Sequence, residues 1–561
     1  MKTIAKNSSF NILPKNLSPI IKTLIITAIS SINYALLAED LKIRNYGGID
    51  SYGITGILSI AIVLLTIFLG LYTKRTLKYS YIGIFYLVLL FFVPQIFSKL
   101  PIFPFVYRIY GHIDYIIRTG YINPNLPGLG YQTWPGAMFL GAILGIISKV
   151  GLYILLTLPV LSYLINVPIF YLLLKGLTKD PRKATIGVLF WITGSYGFGW
   201  FVPGVLAGYL EMVGIYILFR FYLKRNENYS KFGIILMLLT LTLVFTHMLT
   251  SIFWAITMMD FLILSLFIKD KKTQTLSTVL LMLFIVFQFY WIFSYSLTLQ
   301  MFKSRIAQFL TLFLRATKAT EKWISITQTV LTQHAKILKI KAYFVYSIIG
   351  ASLAGMSLVL AESLKRSIKT RKVDKLVFLL VLLLMSYSLG IPAIAGSYSG
   401  EISSRLLGGS KYIFVIFFTL ALKSPKFRKV AIIVLFLFSY LHVMCTYGNL
   451  AYDYVAFNEV AGISYTSINI HSKVYTIYDP LWDMEYIGEV WQHVSSIDSL
   501  LKKKNTTIPF VVLSSRRIDG YKFFTGRKPN LMPIRIKSSK IYCSDNQYIN
   551  VPSKFEIYYG G

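Results

Sequence analysis

Runs of about 20 apolar residues recur along the chain, and nothing constrains its fold more. A bilayer core about 30 Å thick is crossed by a helix of about 20 residues, because an unpaired backbone amide cannot face lipid. Such runs predict thirteen spans, at roughly 19–38, 53–73, 79–97, 150–174, 184–199, 202–219, 232–249, 251–268, 274–298, 342–361, 376–394, 409–422 and 430–446. The run 136–148 (GAMFLGAILGIIS) is too short to cross and follows Trp134-Pro135, so it reads as a re-entrant or interfacial helix. The expected class is an α-helical polytopic membrane protein. With 55% of residues apolar and only 14% charged, an ordinary water-soluble enzyme is excluded.

Charge orients the spans. With the N-terminus in the cytoplasm, every loop that falls inside holds at least three Lys/Arg, for example Lys74, Arg75 and Lys78, or Lys175, Lys179, Arg182 and Lys183. The short outer turns near 200 and 250 hold none, as the positive-inside rule requires. Were 136–148 a full span, every later basic loop would move outside. The inner loops account for +23 of the net +34, so most of the basic excess is an orientation signal rather than a nucleic-acid surface. Lys15 and Lys22 flank the first long span without a small-residue cleavage site, so no cleavable signal is expected. No internal repeat is evident, which weakens a transporter built from inverted halves. Cys445 and Cys543 cannot make a disulfide framework, and whether they pair is left open. Abundant Lys, Ile and Tyr with scarce Cys suggest a thermophilic archaeal source, on composition alone.

The reading gives an N-terminal helix pair (1–78), a main membrane domain (79–446) and an extracytoplasmic tail (447–561). The tail alternates strand-like HSKVYTIYD, IPFVVLSSR, PIRIKSSKIY and YINVPSKFEIYY with helical EVWQHVSSIDSLLKKK, a small α/β domain. Asn505-Thr506-Thr507 is a glycosylation sequon on the expected outer side. Segment 299–341 carries eight Lys/Arg against Glu321 alone and spaces its apolar residues as a helix does. It reads as a basic amphipathic helix, adhering to anionic head groups or capturing a lipid-linked phosphate. In segment 98–135, Asp114 is the sole acid. His112 and Asp114 are two residues apart and do not share a helix face, whereas Asp114 and Arg118 are four apart and do. Asp114 is therefore either a general base over the membrane face or half of a solvated ion pair.

The order of parts carries a resemblance. A span leads to an outer loop reading YRIYGHIDYIIRTGYINPN, followed by Tyr131, Pro135, the short apolar helix and a span ending in a basic loop. Then come YGFGWFVPGVLAGYLEMVGIYIL, THMLTSIFW at an outer span end, and GEISSRLLGGSKYIFVIF before two last spans. Over roughly 79–446 this resembles the GT-C superfamily of integral-membrane glycosyltransferases, archaeal-type members especially. The resemblance implies sugar transfer from a polyprenyl-phosphate-linked donor at the extracytoplasmic face, with an acid of the first long outer loop as base and cations on the departing phosphate. Asp114 is the corresponding candidate base, and Arg108, His112, Arg118, Tyr131, His247, Glu401 and Arg405 are candidate substrate contacts.

The chain also departs from the family. Members often place an Asp about four residues before the loop histidine; here that position is Arg108. Glu39, Asp40 or Asp50 of the first outer loop are alternative acids, and the WWDYG signature of oligosaccharyltransferases is absent. Glu211 and Asp260 fall within spans, where a costly buried acid marks a ligand or ion role or a pairing with a neighbouring helix. No zinc-type cluster, Walker loop, nucleophile elbow or dinucleotide fingerprint is present where it could act. No metal ligand set and no required cofactor are assigned, a divalent cation being left open. Expected partners are a polyprenyl-phosphate-linked sugar, anionic lipids and cell-envelope proteins or glycans, with no nucleic acid. Two other readings compete: a non-catalytic envelope-anchoring or assembly protein on the same fold, and a transporter of lipid-linked molecules.

Overall fold

A computed structural model describes residues 48–71, 77–97, 104–123, 134–149, 153–194, 202–223, 229–295, 298–300, 303, 307, 336–395, 402–447, 465, 474–476, 494–496, 510–514, 539–546 and 553–559. At Asp50, Arg108 and Arg405 only the backbone is described. Span 19–38, Tyr131, Glu401, Glu39, Asp40, the sequon at Asn505 and most of the amphipathic segment 299–341 lie outside the described residues.

Fourteen helices are found among the described residues. They are α1 Gly48–Gly70, α2 Leu77–Phe97, α3 Pro104–Thr119, α4 Gly136–Ser148, α5 Tyr153–Thr178, α6 Pro181–Gly194, α7 Pro203–Leu223 and α8 Tyr229–Thr246, then α9 Met248–Ile268, α10 Lys271–Ser294, α11 Lys336–Thr370, α12 Lys375–Ala395, α13 Ile402–Ala421 and α14 Pro425–Tyr447. Four stretches, Pro203–Tyr222, Thr250–Ile268, Lys271–Ser294 and Tyr346–Thr370, are long and apolar enough to cross a membrane, and shorter apolar helices accompany them. The chain is a helical multi-pass membrane protein.

The short run predicted at 136–148 is the helix α4 to the residue, started after Pro135 and ended by Lys149 in the left-handed region. Helix α11 departs from expectation. Its 35 residues extend well beyond the 342–361 span and absorb 336–341, which had been read as part of the outer segment. At 1.5 Å per residue it is about 52 Å long, more than the hydrocarbon core needs, because a helix keeps its own backbone bonds in water as well as in lipid.

The turns have a recurrent chemistry. Lys179, Lys269 and Arg371 each have φ 55 just past a helix end, where a cation also meets the carbonyl-rich terminus. An aspartate then opens the next helix. Asp180 accepts from the amides of Arg182 and Lys183, Asp270 from Thr273, and Asp374 from Leu376 and Val377. These acids of the basic loops are therefore N-caps, each contributing about 1 kcal/mol.

Inside the bundle, sparse polar side chains tie helices together. Trp254 Nε1 donates to Thr240 Oγ1 (2.9 Å), joining α9 to α8, and Tyr412 Oη donates to the Gly208 carbonyl (2.9 Å), joining α13 to α7. Ser386 Oγ donates to Asp260 Oδ1 (2.9 Å) between α12 and α9, which is the helix pairing weighed for this acid. His442 Nδ1 lies 3.0 Å from the Thr193 carbonyl, and its ring stacks on Phe91 at 4.1 Å. Glycines admit close crossings. A Cβ on Gly355 of α11 would stand 3.0 Å from the Phe418 Cα of α13.

Among the described residues beyond the helices, five strands form one mixed sheet: β1 Val474–Thr476, β2 Val494–Ser496, β3 Phe510–Ser514, β4 Ser539–Asn546 and β5 Ser553–Tyr559, in the order β2-β1-β3-β5-β4. β1 runs parallel to both β2 and β3, and β5 antiparallel to both β3 and β4. β2 corrects the sequence reading, since Val494–Ser496 lies inside the segment taken as helical. Pairing with β1 outweighs a helical preference that is weak for Val-Ser-Ser.

Gly355→Val is expected to lower stability by about 1–3 kcal/mol through overpacking against Phe418. Gly350→Val on the same helix, where a Cβ meets nothing within 4 Å, is expected to leave it nearly unchanged. Thermal unfolding of the purified protein in detergent measures both.

Candidate functional site

Helix α3 is amphipathic. Val106, Tyr107, Ile109, His112, Ile113 and Ile116 are buried, whereas Ile117 and Arg118 are exposed. It lies on α4, with small residues at the contact: a Cβ on Gly141 would stand 2.4 Å from Ile113 Cδ1, and one on Gly145 3.0 Å from Ile117 Cδ1. Larger residues there would push the two helices apart.

The start of α4 meets the end of α8. A Cβ on Gly136 would stand 2.6 Å from Thr246 Oγ1 and 3.0 Å from its Cα. The next residue, His247, has extended backbone and caps α9. Its Nδ1 accepts from the Thr250 amide (3.3 Å) and lies 2.9 Å from Thr250 Oγ1. With Nδ1 accepting, the neutral ring carries its proton on Nε2. That edge faces the start of α7, where a Cβ on Gly204 would stand 3.3 Å from Nε2. Gly136, Gly204 and His247 thus gather the first turns of α4, α7 and α9, whose amides carry partial positive charge.

Two buried donors are linked to these segments, Trp134 by sequence and Gln288 by a hydrogen bond. Trp134, two residues before Gly136, has no hydrogen-bond partner for Nε1 among the described residues. Gln288 of α10 accepts from Ser251 Oγ (3.1 Å) through Oε1, and its Nε2 likewise has none among the described residues. Sequence reasoning missed Gly136, Gly204, Ser251 and Gln288. A lone amide in an apolar run was the available signal for Gln288, while the glycines give no local sign of the helix each will meet.

The expected site residues separate. Asp114 and Arg118 form the ion pair that their spacing allows, with Arg118 Nε donating to Oδ2 at 2.8 Å and both side chains partly exposed. Burial, and then the charge of Asp114, raise the phenol of Tyr110 one helical turn away. Tyr121 is raised by the hydrogen bond that Tyr115 Oη donates to it at 2.7 Å. His112 is fully buried on the opposite face of α3. Arg108 lies on α3 and Arg405 on α13, by backbone position alone. Glu211 is buried in α7, within electrostatic reach of Tyr412. A small cavity lined by Ile215, Phe219, Thr257, Leu383, Tyr412, Ile413 and Ile416 is apolar and takes in none of the candidates. Among the described residues, no three His, Cys, Asp or Glu side chains gather as metal ligands.

No family model matches the chain, and no curated protein matches it. Among solved structures it is similar to the crystal structure of ArnT from Cupriavidus metallidurans bound to undecaprenyl phosphate, at 10% identity and a TM-score of 0.40, covering 86% of this chain and 98% of that one.

If His247 acts only as a cap, His247→Asn, which keeps a capping acceptor, should preserve stability, while His247→Ala should lose about 1 kcal/mol. Thermal unfolding in detergent tests this and establishes His247→Asn as a folded variant for activity measurements.

Proposed function

We propose that the protein is a GT-C-like membrane glycosyltransferase that transfers a sugar from a polyprenyl-phosphate-linked donor to an acceptor hydroxyl at the extracytoplasmic face. One observation carries the reading. Three of the segments on which the family resemblance rests, far apart in sequence, meet at Gly136, Gly204 and His247, at the end of the bundle expected to face outward. Amides of three helix starts and the imidazole would attract the phosphate. Asp114, on the exposed face of α3, is the proposed base. Its Oδ2 holds Arg118, leaving Oδ1 to take the acceptor proton while the hydroxyl oxygen attacks the anomeric carbon. The bond from that carbon to the phosphate oxygen breaks, and the lipid phosphate leaves with the electron pair. The tail after 447 lies on the same side of the membrane in this reading.

A second reading, an anchoring or assembly protein on the same fold, is favoured by the engagement of Asp114 with Arg118 and by Arg108 at the position where family members place an acid.

Transfer from labelled polyprenyl-phosphate sugars distinguishes the two. The first reading expects turnover that falls by about 10²–10⁴ in Asp114→Asn and falls also in His247→Asn. Equal turnover in Asp114→Asn removes this acid from the mechanism, and no turnover with any donor supports the second reading.

A further inference from the structure

Two pairs of rings set the register between α2 and α5. Tyr81 meets Tyr171 with ring centres 5.1 Å apart, and Phe92 meets Tyr163 at 5.6 Å. Residue numbers rise along one helix as they fall along the other, so the two are antiparallel neighbours. The start of α2 and the end of α5 therefore share one end of the bundle, the end that the basic turns mark as cytoplasmic.

At that end the Tyr81 and Tyr171 hydroxyls hydrogen-bond to each other on the exposed surface. Two hydroxyls carry two protons, and the bond between them uses one. Whichever tyrosine donates, the other keeps an O–H with no acceptor among the described residues. At the edge of a bilayer, where tyrosines gather with a wet tip and an apolar body, that acceptor is a water or a lipid oxygen.

The surroundings repeat on both helices. One turn toward the cytoplasmic end stand Lys78 on α2 and Lys175 on α5, both exposed. Lys175 Nζ lies 5.8 Å from the centre of the Tyr171 ring and Lys78 Nζ 5.3 Å from that of Tyr79. Neither forms an ion pair with a carboxylate among the described residues. One turn the other way stand Phe85 and Pro168, exposed and apolar. At 1.5 Å per residue, the lysines and the apolar residues lie about 4.5–6 Å to either side of the tyrosine pair. Ammonium, hydroxyl and hydrocarbon thus follow one another in the order in which an anionic phospholipid presents phosphate, glycerol oxygens and acyl chain.

We propose that Lys78, Tyr81, Tyr171 and Lys175 form a binding site for one anionic phospholipid of the cytoplasmic leaflet. Its phosphate lies between the two ammoniums, and a glycerol or ester oxygen accepts the spare phenol proton. Basic pockets between membrane helices recognise anionic head groups by this combination of charge and shape. The site is at the opposite end of the bundle from His247 and does not depend on the transferase reading.

Native mass spectrometry of the full-length protein released from detergent tests this by counting bound lipids. Phosphatidylglycerol, phosphatidylcholine and glycerol 3-phosphate are the probes. Wild type should retain phosphatidylglycerol at concentrations at least about tenfold below those needed for phosphatidylcholine, and should retain no glycerol 3-phosphate. Lys78→Gln with Lys175→Gln should retain one phosphatidylglycerol fewer. Lys365→Gln with Lys369→Gln, which removes the same charge from the exposed end of α11, should retain the wild-type number. Tyr81→Phe with Tyr171→Phe should raise the phosphatidylglycerol concentration that fills this site about fivefold, the worth of one hydrogen bond. Thermal unfolding in lipid-free detergent establishes that each variant is folded. The proposal is overturned if phosphatidylcholine is retained as well as phosphatidylglycerol, if glycerol 3-phosphate occupies the site, or if the two lysine pairs behave alike.

Discussion

The cost of leaving a backbone amide unpaired in lipid governs the rest of this structure. It forces the main domain into helices, and it makes each polar side chain within them find a partner or serve a purpose. Most find a partner. Tyr412 reaches the Gly208 carbonyl, Trp254 reaches Thr240, and Ser386 reaches Asp260. Where the chain turns, the same requirement is met by an aspartate N-cap following a cation in the left-handed region, as at Lys179-Asp180 and Lys269-Asp270.

Against that background, the end of the bundle around His247 is distinctive. Glycines at 136 and 204 bring two other helix starts against the residue that caps α9. The helix starts bring partial positive charge to this place, opposed by the carbonyl end of α8 at Phe245 and Thr246. The amphipathic helix α3, lying on the apolar α4, leaves Asp114 and Arg118 partly exposed while burying His112. The proposed transfer from a lipid phosphate would draw on both features, the helix starts to attract the anion and the carboxylate to take a proton.

How much of this could be read in advance depended on whether the signal was local. The short helix 136–148 matched its apolar run because Pro135 and Lys149 bracket it. The Asp114–Arg118 pair and the separation of His112 from it followed from helical spacing. By contrast, the ends of Lys336–Thr370 were invisible to hydropathy, which reports where lipid is and not where a helix stops. Val494–Ser496 is a strand only because Val474–Thr476 lies beside it. Gly136, Gly204 and Gln288 matter through partners more than 35 residues away in sequence, which no local pattern encodes.

The claim on which the rest depends is that the His247 end of the bundle faces outward, with the basic turns inside. Cysteine labelling in intact cells tests it directly, in a protein carrying Cys445→Ser and Cys543→Ser. A membrane-impermeant maleimide should label Thr119→Cys, at the exposed end of α3, in intact cells, and Lys365→Cys, on the basic extension of α11, only after permeabilisation. The reverse pattern would contradict the orientation, and with it an extracytoplasmic site.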